Sequence, residues 1–109
     1  MEFNSLRNKK KIYEVKSGGD RVFSRSLILQ YLKEDSGELG AEFCIIVTKK
    51  IGNAVVRNRV KRKIRAAIRQ IDKEKYNFPL FAVLVAKKQI LDFNSLKIAK
   101  DLEFMLGKL

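Results

Sequence analysis

The sequence contains no histidine and only one cysteine, Cys44. Histidine is the commonest general base and a frequent metal ligand, so its absence excludes serine–histidine and cysteine–histidine nucleophile pairs and histidine-based metal sites. A zinc site needs several cysteine or histidine ligands, and one cysteine cannot form an internal disulfide. We therefore expect no catalytic side chain and no metal bound by the protein, and we interpret Cys44 as a small buried hydrophobe.

Long apolar runs are missing as well. No segment is apolar enough to cross a bilayer, and the N-terminal stretch MEFNSLRNKKK lacks the apolar centre of a signal peptide. The 109 residues are enough for one small domain, residues 1–109, and the 46% apolar content argues against disorder. These features predict a soluble cytoplasmic protein that makes no use of a membrane.

Acidic residues are absent from one long stretch of the chain. None occurs from Phe43 to Ile71, although Glu42 and Asp72 lie directly on either side. Within this stretch stand nine basic residues: Lys49, Lys50, Arg57, Arg59, Lys61, Arg62, Lys63, Arg65 and Arg69. The whole chain has a net charge of +12. Fixed positive charge attracts polyanions because neutralised phosphates release condensed counterions, so nucleic acid is the first candidate partner.

Apolar patterns and turn signals predict the order α-β-β-β-α-β-α. The predicted spans are a helix at about 8–16, strands at 21–25, 27–32, 43–48 and 81–86, a basic helix from 55 or 56 to 71, and a final helix starting at 92–94. Gly18 and Gly19 should stop the first helix in a left-handed conformation. A polar turn at 34–40 should let the strand at 43–48 pair back antiparallel with its predecessor.

The basic helix separates its apolar and charged residues. At 100° per residue, one apolar stripe contains Val60, Ile64, Ala67, Ile68 and Ile71. A basic arc contains Asn58, Lys61, Arg62, Arg65 and Arg69, with Arg59 and Lys63 further round. Arg57, Lys61, Arg65 and Arg69 repel one another at successive i,i+4 spacings, which favours a use outside the fold over a merely solvated face. The final helix has the apolar set Leu96, Ala99, Leu102, Met105, Leu106 and Leu109.

The segment before the basic helix allows two interpretations. Gly52 and Asn53 could simply form a turn at the helix start. They also lie beside Lys49 and Lys50, and exposed backbone N–H groups at a helix start favour anions. A phosphate-facing loop is therefore equally compatible with the sequence.

The run KKIGNAVVRNRVKR at 49–62, followed by Ile64-Arg65, closely resembles the signature of the bacterial ribonuclease P protein subunit. Weaker similarity, beginning at Leu6-Arg7, extends over nearly the whole chain. The resemblance implies an α+β two-layer sandwich whose four-stranded mixed sheet includes a left-handed βαβ crossover carrying the basic helix. It further implies that these residues bind the catalytic RNA: Lys49, Lys50, Asn53, Arg57, Asn58, Arg59, Lys61, Arg62, Arg65 and Arg69.

The same resemblance implies a function. The protein would assist an RNA enzyme that removes the 5′ leader from precursor tRNA. The RNA would perform the Mg²⁺-dependent hydrolysis, and the protein alone would be inactive. The partners would be the catalytic RNA and precursor tRNA. In the family the leader lies between the first helix and the sheet, which corresponds here to Ile12, Lys16 and Gln30, with Phe23 as a nearby aromatic.

Three other functions compete with this one. A different non-catalytic RNA-binding module, such as a ribosomal protein, would carry similar charge. A DNA-binding protein could lay the basic helix into a major groove. An independent nuclease would need acids clustered on one face, whereas the acids here are scattered. The Arg57-Asn58-Arg59 run favours the ribonuclease P interpretation.

Overall fold

The computed structural model describes residues 5–33, 40–72 and 79–109, which form three helices and four strands. In chain order these are α1 (Lys9–Gly18), β1 (Asp20–Phe23), β2 (Leu27–Lys33), β3 (Ala41–Ile46), α2 (Ala54–Arg69), β4 (Leu80–Ala86) and α3 (Ser95–Leu106). The predicted α+β order is confirmed, with one short 3₁₀ helix (Lys88–Asp92) added before α3. Most of the predicted turn at 34–40 lies outside the described residues. No described helix is long and apolar enough to span a membrane.

The four strands form one mixed sheet in the order β1-β2-β4-β3. The pairs β1–β2 and β2–β4 are antiparallel, and β3 pairs with β4 in parallel. The predicted direct pairing of β2 with β3 is wrong, because β4 lies between them. The sequence of β4, LFAVLVA, is apolar on both faces, and a strand covered on both sides is most stable in the middle of a sheet. Helix α2 connects the parallel strands β3 and β4.

The main core lies between one face of the sheet and the helices α2 and α3. We call this the inner face. Leu27 and Leu29 of β2 and Leu84 of β4 are fully buried in the same cluster as residues of both helices. Tyr31 packs against this cluster, so it faces away from Gln30, its neighbour on β2. Sheet, α2 and α3 thus make the expected two-layer sandwich.

Helix α1 covers the opposite face of the sheet, which we call the α1 face. Strand alternation directs Gln30 and Val83 to this side. The Gln30 side chain donates a hydrogen bond to the carbonyl oxygen of Lys16 on α1, with a length of 2.8 Å. Val15 is completely buried beneath the helix. The sheet is therefore covered by two helices on one side and by one short helix on the other.

The apolar stripe of α2 is confirmed, since Val60, Ile64, Ala67, Ile68 and Ile71 are all buried. The set predicted for α3 departs from the structure at two positions. Leu109 lies beyond the end of the helix at Leu106 and packs against the core from there. Leu96 is 55% exposed, whereas Ile98 is completely buried. Helix α3 begins only at Ser95, with Asn94 as its N-cap, and Leu96 lies about 200° round the helix from Ile98. Both residues are apolar, so only the placement of the helix on the sheet distinguishes them.

Two strand boundaries differ from prediction. Strand β1 ends at Phe23 instead of residue 25, because Ser24 turns the chain with an N–H···O bond of 2.9 Å to Leu27. Strand β3 spans Ala41–Ile46, two residues earlier than predicted. Its pairing with β4 begins at Ala41↔Leu80, and the chain turns after Val47, where the Ile51 N–H donates to Thr48 at 3.0 Å.

Helix α1 ends for a different reason from the one predicted. Gly19 has φ −75° and ψ 152°, so it is extended and not left-handed. A Cβ atom at Gly19 would lie 2.5 Å from the Val15 carbonyl oxygen and 2.7 Å from the Tyr31 carbonyl oxygen. Glycine is required here because the backbones of α1 and β2 approach too closely for any side chain.

We predict that Gly19→Ala destabilises the fold by roughly 1–3 kcal/mol, the range found when an added methyl group must displace packed atoms. Gly18→Ala is the matched control, because a Cβ at Gly18 meets nothing within 4 Å. Alanine there should be neutral or stabilise by up to about 1 kcal/mol, since it favours the helix. Urea unfolding of both variants measures this. Equal stabilities would contradict the steric account.

Candidate nucleic-acid interface

The loop before α2 is held by its own backbone and by one buried side chain. Ile51 is buried, and this anchors a turn whose flanking residues Lys49 and Lys50 are exposed. Gly52 has φ +158°, and a Cβ atom at this position would approach the Val56 side chain to 2.9 Å. The glycine therefore lets the loop pass close to the first turn of α2. Both lysines are presented to solvent next to the helix start.

Asn53 is the N-cap of α2. Its side-chain oxygen accepts the Val56 N–H at 3.0 Å, which is the usual way to satisfy an unpaired donor at a helix start. The turn interpretation of Gly52-Asn53 is thus confirmed. Asn53 was also predicted to contact RNA, and its exposed position beside the lysines leaves that prediction open. The first turn of α2 contains no acidic residue, so the positive end of the helix dipole is not neutralised there.

The charged side of α2 faces away from the core. Arg57 and Lys61 are half-buried, whereas the remaining predicted residues are exposed. We call the following set the basic surface: Lys49, Lys50, Arg57, Asn58, Arg59, Lys61, Arg62, Arg65 and Arg69. All of them lie on one helix and its preceding loop. Their arrangement can hold several phosphates electrostatically.

Arg57 differs from its neighbours. Its Nε atom is buried and has no hydrogen-bond partner among the described residues. A shielded donor on a charged group is costly to leave unsatisfied, and a phosphate oxygen accepts well from guanidinium. Among the described residues, Arg57 is thus the member of the basic surface with a buried side-chain donor that lacks a hydrogen bond.

Lys63 has an internal role. Its Nζ atom donates to the Phe93 carbonyl oxygen at 3.0 Å, which ties α2 to the segment that leads into α3. The ring of Phe93 is in turn covered by the Arg25 guanidinium at 5.6 Å from the ring centroid. One of the nine lysines and arginines in the acid-free stretch is therefore a structural contact, which the charge pattern alone did not reveal.

One basic residue from outside the acid-free stretch, Arg7, also lies close to this surface. Arg7 precedes α1 and lines a pocket together with Lys61 and Arg65 of α2. The only sequence signal was the Leu6-Arg7 resemblance, because Arg7 is far from α2 along the chain. Tertiary structure brings it to the edge of the basic surface.

The four residues predicted to bind a leader strand belong to the α1 face, away from the main core. Ile12 is half-buried and Lys16 exposed on α1, and Phe23 on β1 is 58% exposed. The β-sheet register aligns Phe23 with Ile28, Val85 and Ile46 in one apolar row across all four strands. We call the space between α1 and this row the α1 cleft. All four residues of the row are exposed or half-buried.

The Gln30 side chain is buried and is not accessible from the α1 cleft. It is only 7% exposed, and its amide group is used to hold the carbonyl oxygen of Lys16. The predicted contact of Gln30 with leader bases is therefore not supported by this geometry. Its position two residues along β2 from Ile28 puts it under α1, where sequence alone could not distinguish packing from binding.

Cys44 lies half-buried on β3, and so is less enclosed than predicted. Burial raises the pKa of its thiol, and the charge of Lys16 opposes that rise. Cys44 pairs with Val83 in the sheet register, so alternation directs its side chain to the α1 face.

Comparison with known proteins gives one consistent family. The family model described as Ribonuclease P matches residues 1–109. A ribonuclease P protein component of Streptococcus agalactiae is 33% identical over 108 residues, covering 89% of this chain and 94% of the relative. One from Bacillus velezensis is 33% identical over 105 residues, covering 96% and 88%. The solved ribonuclease P protein of Thermotoga maritima superposes with a TM-score of 0.82 at 19% identity, covering 97% of each chain, which supports the fold.

We predict that alanine substitutions at two adjacent basic residues of α2 have different effects, one on the stability of the fold and the other on RNA binding. Lys63→Ala removes the bond to Phe93 and should lower the free energy of unfolding by about 1 kcal/mol, with little change in affinity for structured RNA. Arg62→Ala should leave stability within about 0.5 kcal/mol and weaken binding. Denaturation and filter binding measure the two effects. The opposite pattern would show that Lys63 belongs to the binding surface.

Proposed function

Because the chain belongs to the ribonuclease P family, we propose that it is the protein component of a ribonucleoprotein that removes the 5′ leader from precursor tRNA in the cytoplasm. In this proposal the basic surface binds the catalytic RNA. The supporting observation is the separation on α2, where a fully buried apolar stripe is backed by exposed cations without an acid among them. The family match favours this function over a ribosomal or DNA-binding protein.

We also propose that the RNA performs the chemistry. The chain has no histidine, the commonest general base, and the basic surface consists of lysine, arginine and asparagine side chains. Such groups are suited to binding phosphates. Mg²⁺ bound by the RNA would supply the nucleophile and stabilise the leaving group. The protein would act by neutralising RNA charge and by holding the substrate.

The second contact in this proposal is with the leader strand. The α1 cleft combines the cation of Lys16 with the apolar row that ends at Phe23. Single strands bind where a cationic track runs beside surfaces on which bases stack. Phe23 offers a ring, and Ile12 an apolar wall on α1. The two RNA contacts would lie on different sides of the sheet, so one protein could touch catalytic RNA and substrate together.

The direct test is cleavage of precursor tRNA at low Mg²⁺ by the catalytic RNA, with and without this protein. We expect the protein to restore activity that the RNA alone loses as Mg²⁺ falls, because protein cations replace part of the counterion charge. RNA-free protein should cleave nothing. Cleavage by rigorously RNA-free protein would overturn the proposal and favour an independent nuclease.

Arg65→Ala should weaken binding to the catalytic RNA and flatten its salt dependence. Removing one phosphate contact changes the slope of log K against log salt by roughly 0.7 to 0.9. Lys33→Ala is the control, because Lys33 is exposed at the end of β2, outside the basic surface. The measurement is binding at several salt concentrations. Equal changes in the two variants would mean that affinity follows net charge and not α2.

Lys16→Ala should lower affinity for precursor tRNA and leave affinity for mature tRNA nearly unchanged, because only the precursor has a leader in the α1 cleft. Arg57→Ala should instead weaken assembly with the catalytic RNA. Holoenzymes assembled at saturating RNA allow the two tRNAs to be compared by competition. If the Lys16 variant lowers the affinity for both tRNAs equally, the leader does not bind in the α1 cleft.

A further inference from the structure

A pocket of about 220 Å³ lies at the edge of the sheet, where three separate parts of the chain meet. Residues 5–7 form one wall, β3 forms the floor around Cys44 and Ile45, and α2 contributes Lys61 and Arg65. The rest of the basic surface is the outer side of a helix. This pocket is therefore the concave part of the region, and it adjoins the charges proposed to bind RNA.

The cations of this pocket come from both sides. Arg7 belongs to the segment before α1, whereas Lys61 and Arg65 are neighbours at i,i+4 spacing on α2. Among the residues that the structure describes, no acidic side chain lines the pocket. Three positive groups around one opening attract a single phosphate placed between them, because the attractions of the three cations add. The rim thus has the charge of a phosphate site.

The floor of the pocket offers hydrogen-bonding groups of the backbone. Leu6 N–H donates to the Phe43 carbonyl oxygen at 2.8 Å, and Ser5 forms one isolated parallel bridge with Phe43. The Phe43 carbonyl therefore points away from β4, toward the outer edge of β3. Alternation along a strand directs the backbone groups of Ile45 to the same edge. Residues 8 onward turn away into α1 and do not cover this edge. The N–H and C=O groups of Ile45 therefore face the pocket.

We propose that this pocket receives one unstacked nucleotide of the RNA bound by α2. Its phosphate would lie among Arg7, Lys61 and Arg65, and its base would meet the backbone edge of Ile45 beside the apolar Leu6. The volume suits a single base with its ribose and is too small for a base pair. Proteins that read RNA mostly bind such splayed-out bases. This inference rests on the proposed binding of RNA by α2, and it adds a defined subsite and Arg7 to that surface.

The first experiment measures binding of the full-length protein to the catalytic RNA. Arg7→Ala should weaken binding several-fold and reduce the salt slope by about 0.7, as expected for one lost contact to a single strand. Lys100→Ala on α3 removes the same charge at an exposed position far from the pocket in the chain and should leave binding nearly unchanged. If Arg7→Ala behaves like Lys100→Ala while Arg65→Ala weakens binding, the pocket proposal is overturned and the proposed function stands. If the wild-type protein does not bind the catalytic RNA, both the pocket proposal and the proposed function are overturned.

Double variants test whether the cations share one phosphate. When two residues hold the same phosphate, the first substitution already removes that contact. The effects of the two substitutions on the binding free energy are then not additive. Arg7→Ala combined with Arg65→Ala should therefore weaken binding by less than about twofold beyond the stronger single variant. Arg7→Ala combined with Arg69→Ala should multiply the two single effects, because Arg69 does not line the pocket. If the fold-changes of the single variants multiply in both double variants, Arg7 and Arg65 do not share one phosphate.

Discussion

The burial of one side of α2 against the sheet and α3 is the interaction on which the rest of the structure depends. The other side carries like charges at i,i+4 spacing, each pair costing about 0.2–0.5 kcal/mol. Burial of Val60, Ile64 and Ile68 contributes about 1.5–3 kcal/mol each. The apolar stripe therefore outweighs the repulsion, and α2 can carry a run of cations with no acid in its own sequence and keep its place in the fold. The Asn53 N-cap fixes the start of α2, and the bond from Lys63 to Phe93 ties the middle of the helix to the segment before α3.

The parts of the fold that follow from local pattern were predictable. The stripe of α2 has helical period and the strands are apolar, so the element order emerged correctly from the sequence. The insertion of β4 between β2 and β3 was not predictable from the turn at 34–40, because neighbours in a sheet are chosen by total burial and not by order in the chain. Gly19 shows the same limit. Glycine is required at this position because the carbonyl oxygen of Tyr31, which belongs to a different element, lies too close for a side chain.

The candidate site divides in a similar way. Charge pattern identified the basic surface because its members are contiguous on one helix, but it could not recognise Lys63 as a structural residue. Arg7 required the tertiary contact between residues 5–7 and β3, and Gln30 required knowledge of what covers the α1 face. The result is one small sheet with cations along α2 on one side and a cleft along α1 on the other. The pocket at the β3 edge lies beside the basic surface.

The central claim is that RNA lies on the outer side of α2, and site-specific photo-crosslinking tests it most directly. A photoreactive amino acid in place of Arg62 should crosslink to the catalytic RNA in the assembled complex. The same amino acid in place of Phe104, an exposed residue of α3, should not. Both positions are on helix surfaces and tolerate a large side chain, so the comparison reports proximity alone. Crosslinking from position 104 with none from position 62 would contradict the account.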